Sequence, residues 1–389
     1  MTISEILAPP CISIAVRAWN EEAAIRTSLE SVFAQSLFAR LAERGERAEV
    51  LCVANGCTDR TAEIAAAVFA EQSQRHPFAG TFDCRVDEIA QAGRNHTWNA
   101  FMHTLSHPQA RFLYIMDSDI VFNRPDTLFN MYALLLAEPQ ARIATDRQEK
   151  DLAFKAHKSW RDRLSLATTD MTRTIEGQIT GQLYCIRAET ARRLYLPRDL
   201  GAPDDGFIKA VVCTDFLSRP LDPKRIRRAE HASHVYEAYR SVRQVLNNQK
   251  RQMIGQTTVF VALEYLKTLP ADQRADLAVT LQRLEAADPD WLKQLIAAHL
   301  RQARFFWRLF PNALTFRFQR WARLPRWERF SHLPAALAGF VVTLIACARA
   351  HRHLRGGQTH YWPKVGRDNL GRLAMETAGA ASPPEANAG

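Results

Sequence analysis

Phe112-Leu113-Tyr114-Ile115-Met116-Asp117-Ser118-Asp119 decides how this chain is read. An unbroken apolar run that stops at two carboxylates two positions apart describes a strand buried on both faces and ending at a polar rim. Outward from it, short apolar runs alternate with helical patterns. Strands are expected at Cys11–Val16, Val50–Ala54 and, with a weaker signal, Phe82–Val86. Helices are expected at Glu21–Phe38, Asp59–Ala70, Asn95–Leu105 and after Pro125, where proline suits a first helical turn. This alternation predicts an α/β chain with a mostly parallel, doubly wound sheet. Ligands of such sheets bind beyond the carboxyl ends of the strands, where Asp117–Asp119 falls. Further along, 150–180 reads as loops with a helix, Ile179–Ile186 as a strand, Ala188–Leu196 as a short helix and Arg198–Asp205 as a loop. Residues 240–300 read as helical with a turn near Pro270, and no internal repeat occurs.

The formal net charge is +10 over 389 residues, and it is unevenly spread. Residues 301–389 hold 14 Lys and Arg against 4 Asp and Glu, so the first 300 residues balance to zero. A localised basic surface is expected, and no nucleic-acid partner. The seven cysteines are scattered with no C-x-x-C, which argues against a disulfide framework or zinc site and predicts free thiols in a reducing cytosol. Met1–Pro10 lacks the basic and apolar regions of a secretory signal. Residues 376–389, rich in Ala, Pro, Glu and Gly, are expected to form a disordered tail.

Four turns carry candidate chemistry. Asp117 and Asp119 can face a divalent cation such as Mn²⁺ or Mg²⁺, which prefers carboxylate, water and phosphate oxygens. Ala15-Val16-Arg17-Ala18-Trp19-Asn20-Glu21 closes the first strand and offers backbone N–H groups to a phosphate or base; taken alone, it reads rather as a turn in which Asn20 caps the helix. In Ala54-Asn55-Gly56-Cys57-Thr58-Asp59, Asn55 could bond a nucleobase or ribose, while Asp59 reads as a cap. In Gly93-Arg94-Asn95 with Asn99, Arg94 could reach a phosphate or the Asp117–Asp119 region. No G-x-G-x-x-G follows the first strand, which argues against a nicotinamide oxidoreductase.

In this order and spacing, the four motifs resemble family 2 glycosyltransferases of GT-A fold over roughly residues 10–260. The resemblance implies a GT-A-type, Rossmann-like sheet with flanking helices. It implies inverting transfer from a UDP- or GDP-sugar to a saccharide or lipid-linked acceptor. Donor roles fall on Arg17, Asn20, Glu21, Asn55, Arg94 and Asp117, and the metal on Asp119 with Asp117. Many members carry an acid where Asn55 stands. Asp204-Asp205 resembles the family's acidic pair, which makes Asp205 the catalytic base and Asp204 its companion; both would otherwise serve as helix-start acids. Thr180-Gly181-Gln182 resembles the acceptor strand, with Gly181 and Gln182 as acceptor-binding residues. Gln249 and Arg251 echo a Q-x-x-R-W segment whose Trp is here Met253, so Arg251 is a donor-side candidate. His231 and His234 read as ordinary polar residues rather than metal ligands. The rivals are a nucleotidyltransferase of related fold and a non-catalytic membrane-associated scaffold.

The implied domains are a transferase at 1–260, with donor half 10–145 and acceptor half 146–260, and a helical C-terminal region at 261–375. In that region Arg317, Arg320, Arg323, Arg326 and Arg329 interleave with aromatics, and the charge-free run Phe330–Ala348 follows. Arginine with aromatics suits an interface with anionic lipid. The expected location is the cytoplasmic side of the inner membrane, peripheral or held by one C-terminal apolar helix, and otherwise the cytoplasm.

Overall fold

The structure, a computed structural model, describes residues 8–159, 162, 166, 177–201, 204–239, 241–303, 309, 310, 313–315, 319, 321, 322 and 326–358. The expected tail at 376–389, much of the 150–180 segment and most of the aromatic–arginine stretch at 304–325 lie outside these residues. The described chain divides into two units. One comprises residues up to 194 and 211–238; the other comprises 195–210 and residues from 239 onward.

The first unit is built on an eight-stranded sheet: β1 Ile12–Ala18, β2 Ala48–Asn55, β3 Phe82–Ile89, β4 Phe112–Asp117, β5 Ile120–Phe122, β6 Ile143–Lys150, β7 Leu183–Arg187 and β8 Ile226–Tyr236. The spatial order is β3-β2-β1-β4-β7-β6-β8-β5. The pairs β3–β2, β2–β1, β1–β4 and β6–β8 are parallel, whereas β4–β7, β7–β6 and β8–β5 are antiparallel. This is a mixed α/β arrangement in which β3, β2, β1 and β4 run parallel side by side. β1 and β2 are buried along their whole length, which is why they read as continuous apolar runs. Helices α1 Ile25–Phe33, α2 Leu37–Arg44, α3 Thr61–Arg75, α4 Arg94–Ala100 and α5 Thr127–Ala137 flank the sheet. α1 packs on α3, and α5 covers β6 and β8.

Three differences from the sequence expectation have physical causes. The single helix expected at Glu21–Phe38 is two helices, broken at 34–36. Gln35 Nε2 donates to the Arg124 carbonyl (2.9 Å), Gln35 Oε1 accepts from Leu128 N (3.2 Å), and Ser36 N donates to the Pro125 carbonyl (2.9 Å). Tertiary hydrogen bonds here replace helical ones. The strand expected from Ile179 begins at Leu183, because Thr180 Oγ1 donates to the Leu183 carbonyl (2.8 Å) and holds a turn. β6 and β8 were not expected, since Ile-Ala-Thr-Asp-Arg-Gln-Glu-Lys and Ile-Arg-Arg-Ala-Glu-His-Ala-Ser-His-Val-Tyr are mostly polar.

A short helix α6 (Ala188–Ala191) follows β7, and the unit boundary falls within α7 (Asp204–Cys213). The second unit holds α8 Val242–Thr268, α9 Ala271–Ala275, α10 Leu277–Ala287, α11 Trp291–Gln302 and α12 Arg326–Arg355. α8 opens with a capping box, Ser241 and Gln244 each bonding the other's backbone N–H. α8 packs on α11 and α12, with Tyr265 and Trp291 ring centroids 5.3 Å apart. The expected apolar run 330–348 lies within α12. Among the described residues no helix is long and apolar enough to cross a membrane.

Candidate active site

β1 and β4 are in register with Arg17 opposite Asp117, so two residues 100 positions apart meet at the strand ends. Arg17 Nε lies 2.5 Å from Asp117 Oδ1. Arg94, at the start of α4, brings Nη1 to 3.1 Å from Oδ1 and 3.3 Å from Oδ2 of the same carboxylate. Each arginine also donates to the Gly181 carbonyl, at 2.5 Å from Arg17 and 2.6 Å from Arg94. Guanidinium does not deprotonate, so Asp117 is held between two permanent cations. Asp117 N donates to the Gln182 carbonyl (2.8 Å), which ties the start of β7 to the end of β4. Asp119 follows in the turn into β5, partly buried. Arg17, Arg94, Asp117, Gly181 and Gln182 are therefore one cluster.

Arg94 is aimed by its own helix. Trp98, fully buried one turn on, donates from Nε1 to the Tyr184 hydroxyl (2.5 Å) and seats α4 against β7.

The turns after β1 and β2 are laced together. Asn20, in left-handed backbone at φ 54°, accepts at Oδ1 from Thr58 N (2.7 Å). Asn20 N meets Cys57 Sγ (3.3 Å), Glu21 N donates to Thr61 Oγ1 (2.8 Å), and Glu22 N donates to Asp59 Oδ2 (3.1 Å). The backbone N–H groups of Asn20, Glu21 and Glu22 are thus taken by side chains of the second turn. Burial works to raise the Asp59 carboxyl, but hydrogen bonds from Thr61 Oγ1 and from the Glu22 and Thr61 amides outweigh it and hold it below the usual carboxylate range. Asn55 is buried, and its Oδ1 accepts from Gly93 N (3.0 Å), fixing the turn that launches Arg94. Trp19 is 37% exposed between these turns, a large ring on the rim that sequence reasoning quoted but gave no role.

Gly56 sits at φ +63°, and a Cβ there would stand 2.8 Å from the Ala92 Cβ and 3.1 Å from the Ala92 backbone. Gly56→Ala is expected to cost about 1–3 kcal/mol, through left-handed strain and displacement of the 92–94 turn. Thermal melting measures the loss, and an unchanged melting temperature would refute the packing argument.

β6 and β8 add a polar core that the sequence did not reveal. Asp146 and His234 are fully buried, with His234 Nδ1 at 2.7 Å from Asp146 Oδ2. His234 Nε2 lies 3.3 Å from Gln182 Oε1, so the pair reaches the Gly181–Gln182 segment. The available signal was an acid and a histidine in two segments too polar to read as strands.

Among the described residues no three His, Cys, Asp or Glu side chains gather as a ready-made metal cage. The described cysteines are all free.

Asp204, Asp205 and Arg251 belong to the second unit. Asp204 and Asp205 open α7; Asp204 is buried, and Asp205 Oδ1 accepts from Gly206 N (2.8 Å). Arg251 lies on α8 and donates to Asn248 Oδ1 (3.0 Å).

The family model described as glycosyl transferase family 2 matches residues 13–188. No curated protein sequence matches the chain. Among solved structures, it is similar to a mannosyltransferase from Pyrobaculum calidifontis in complex with GDP-Man and Mn²⁺, at 16% identity and TM-score 0.49, covering 90% of this chain and 89% of that one. It is also similar to glucosyl-3-phosphoglycerate synthase from Mycobacterium tuberculosis. In complex with Mg²⁺ and UDP, that protein gives 14% identity and TM-score 0.42, over 67% of this chain and 80% of that one. In complex with Mn²⁺, UDP-glucose and phosphoglyceric acid it gives 15% and 0.41, over 67% and 81%. Residues 13–188, which span β1 to the start of α6, are a glycosyl transferase family 2 domain.

Proposed function

We propose that this chain transfers a sugar from a UDP- or GDP-sugar to an acceptor hydroxyl with inversion. The observation that supports it is the Arg17–Asp117–Arg94 clamp with Asp119 in the next turn, all at the carboxyl rim of β1 and β4. Two guanidiniums and two carboxylates balance. A divalent cation added at Asp119 would leave the rim positive by two, which suits a diphosphate. Asp119 is the residue we assign to Mn²⁺ or Mg²⁺, because both oxygens of Asp117 are engaged by arginine. Such ions complete their shell with water and phosphate oxygens, so a cage of protein ligands is not required. When bound, the ion neutralises charge on the departing nucleoside diphosphate.

The chain's own residues supply the rest. Arg17 and Arg94 fix the rim and add positive charge beside the diphosphate. Asn20, Glu21 and Asn55 shape the nucleoside side, and Trp19 offers it an apolar face. Gly181 and Gln182 are assigned to the acceptor. Asp205 takes the acceptor's proton, with Asp204 supporting it, and Arg251 is assigned to the donor side. The acceptor is a saccharide or a lipid-linked saccharide at the cytoplasmic face of a membrane, which the basic C-terminal part would suit.

The test is release of nucleoside diphosphate from UDP- and GDP-sugars in the presence of Mn²⁺. Absence of release from every common donor would overturn the enzymatic assignment. Asp119→Ala is expected to weaken Mn²⁺-dependent donor binding at least about 100-fold, since even partners one shell outside a metal are worth 10–100-fold. Equal donor affinity with and without Mn²⁺ in both proteins would remove the metal from the mechanism.

A further inference from the structure

α12 is apolar on two opposite sides. At about 100° per residue, Thr343, Ala346, Cys347, Ala350 and Leu354 fall within an arc of about 100°. All five are buried, and the helix packs on α8 and α11. Trp327, Phe330, Leu337, Val341 and Ile345 fall within an arc of about 80° on the far side. They are 76%, 84%, 48%, 52% and 43% exposed. This second row runs for about 27 Å. The exposed Arg352 and Arg355 continue the same line at its C-terminal end, with exposed Arg349 beside them. An ordinary surface helix of a soluble domain shows one apolar face; a second, unpaired one marks a surface that something covers.

We infer that α12 lies in the plane of an anionic phospholipid leaflet, with the Trp327–Ile345 row in the acyl boundary and the arginines at the phosphate headgroups. Charge selects this occupant. Residues 326–355 contain five arginines and one glutamate, so a second copy of the helix would set like charge against like, whereas anionic lipid complements it. The row also has the composition of an in-plane helix, a tryptophan and a phenylalanine with aliphatics and arginines at the rim. The inference rests on the membrane-side part of the proposed function and not on its chemistry.

The test is flotation of the full-length protein with vesicles of phosphatidylcholine alone or mixed with phosphatidylglycerol. Binding is expected to the mixed vesicles and to be at least about tenfold weaker to phosphatidylcholine alone. Val341→Glu and Phe330→Glu are each expected to reduce binding to the mixed vesicles at least about tenfold, with unchanged melting because both sites are exposed. Three results would overturn the inference: no binding of the parent protein to the mixed vesicles, binding indifferent to either substitution, or equal binding to both vesicle types. A dimer converted to a monomer by Val341→Glu, with vesicle binding intact, would assign the face to a second copy instead. Flotation needs no donor, metal or acceptor, and diphosphate release needs no lipid, so failure of one leaves the other standing.

Discussion

Asp205→Asn is expected to lower the rate of sugar transfer by roughly 10²–10⁴-fold while leaving donor affinity unchanged, the range expected for removing a general base. Asparagine keeps the oxygen that accepts from Gly206 N, so the start of α7 is preserved. What is lost is the capacity to take a proton. Asp205 is only partly buried, so the substitution strands no charge. Initial rates with acceptor, set beside equilibrium donor binding, separate the two effects. Transfer at the parent rate, or loss of donor binding, would place the base elsewhere. Asp204→Asn is the informative companion. Asp204 is buried where Asp205 is not, so a change in stability exceeding the change in rate would mark it as a helix-start residue.

The second large effect concerns stability. His234→Ala is expected to destabilise the protein by about 3–5 kcal/mol, because it leaves the fully buried Asp146 carboxylate without its imidazole. Asp146 Oδ1 has no hydrogen-bond partner among the described residues, so no second donor stands ready to compensate. For a unit of this size the loss corresponds to a fall of roughly 6–20 °C in melting temperature. The double variant Asp146→Asn/His234→Ala should recover part of it, since the stranded charge is gone; a coupling above about 1 kcal/mol in the cycle would show that. A single-variant loss below about 1 kcal/mol would mean the buried pair is not held as the structure has it. The same variant should loosen Gln182, whose side chain His234 contacts, and so raise the acceptor KM more than it changes donor affinity.

Legibility in the sequence followed burial. β1, β2 and β4 were readable because central strands buried on both faces carry little but apolar side chains. β6 and β8 were not. Their buried polar groups, such as Asp146 and His234, pair with one another across 88 residues, and no local pattern announces that. The α1–α2 break was hidden for the same reason, since Gln35 and Ser36 find their partners in the 124–128 segment. At the site, the residue types at the strand ends were legible, but their partners were not. Arg17 and Asp117 become a pair only when β1 and β4 take their register. Arg94 joins them only when Asn55 has fixed the turn before it.

The laced turns at 20–22 and 57–61 have an evolutionary consequence. Phosphate cradles made of main-chain amides persist through almost any substitution that keeps their dihedral angles. Here the amides of Asn20, Glu21 and Glu22 are already spent on Cys57, Thr61 and Asp59. On the proposed assignment, the grip on a donor is therefore concentrated in a few side chains on an already rigid frame. Arg17, Asn20 and Asn55 also tie strand ends and turns together, so a substitution at any of them reaches the frame as well as the grip. A scaffold so arranged can lose its donor by a single step.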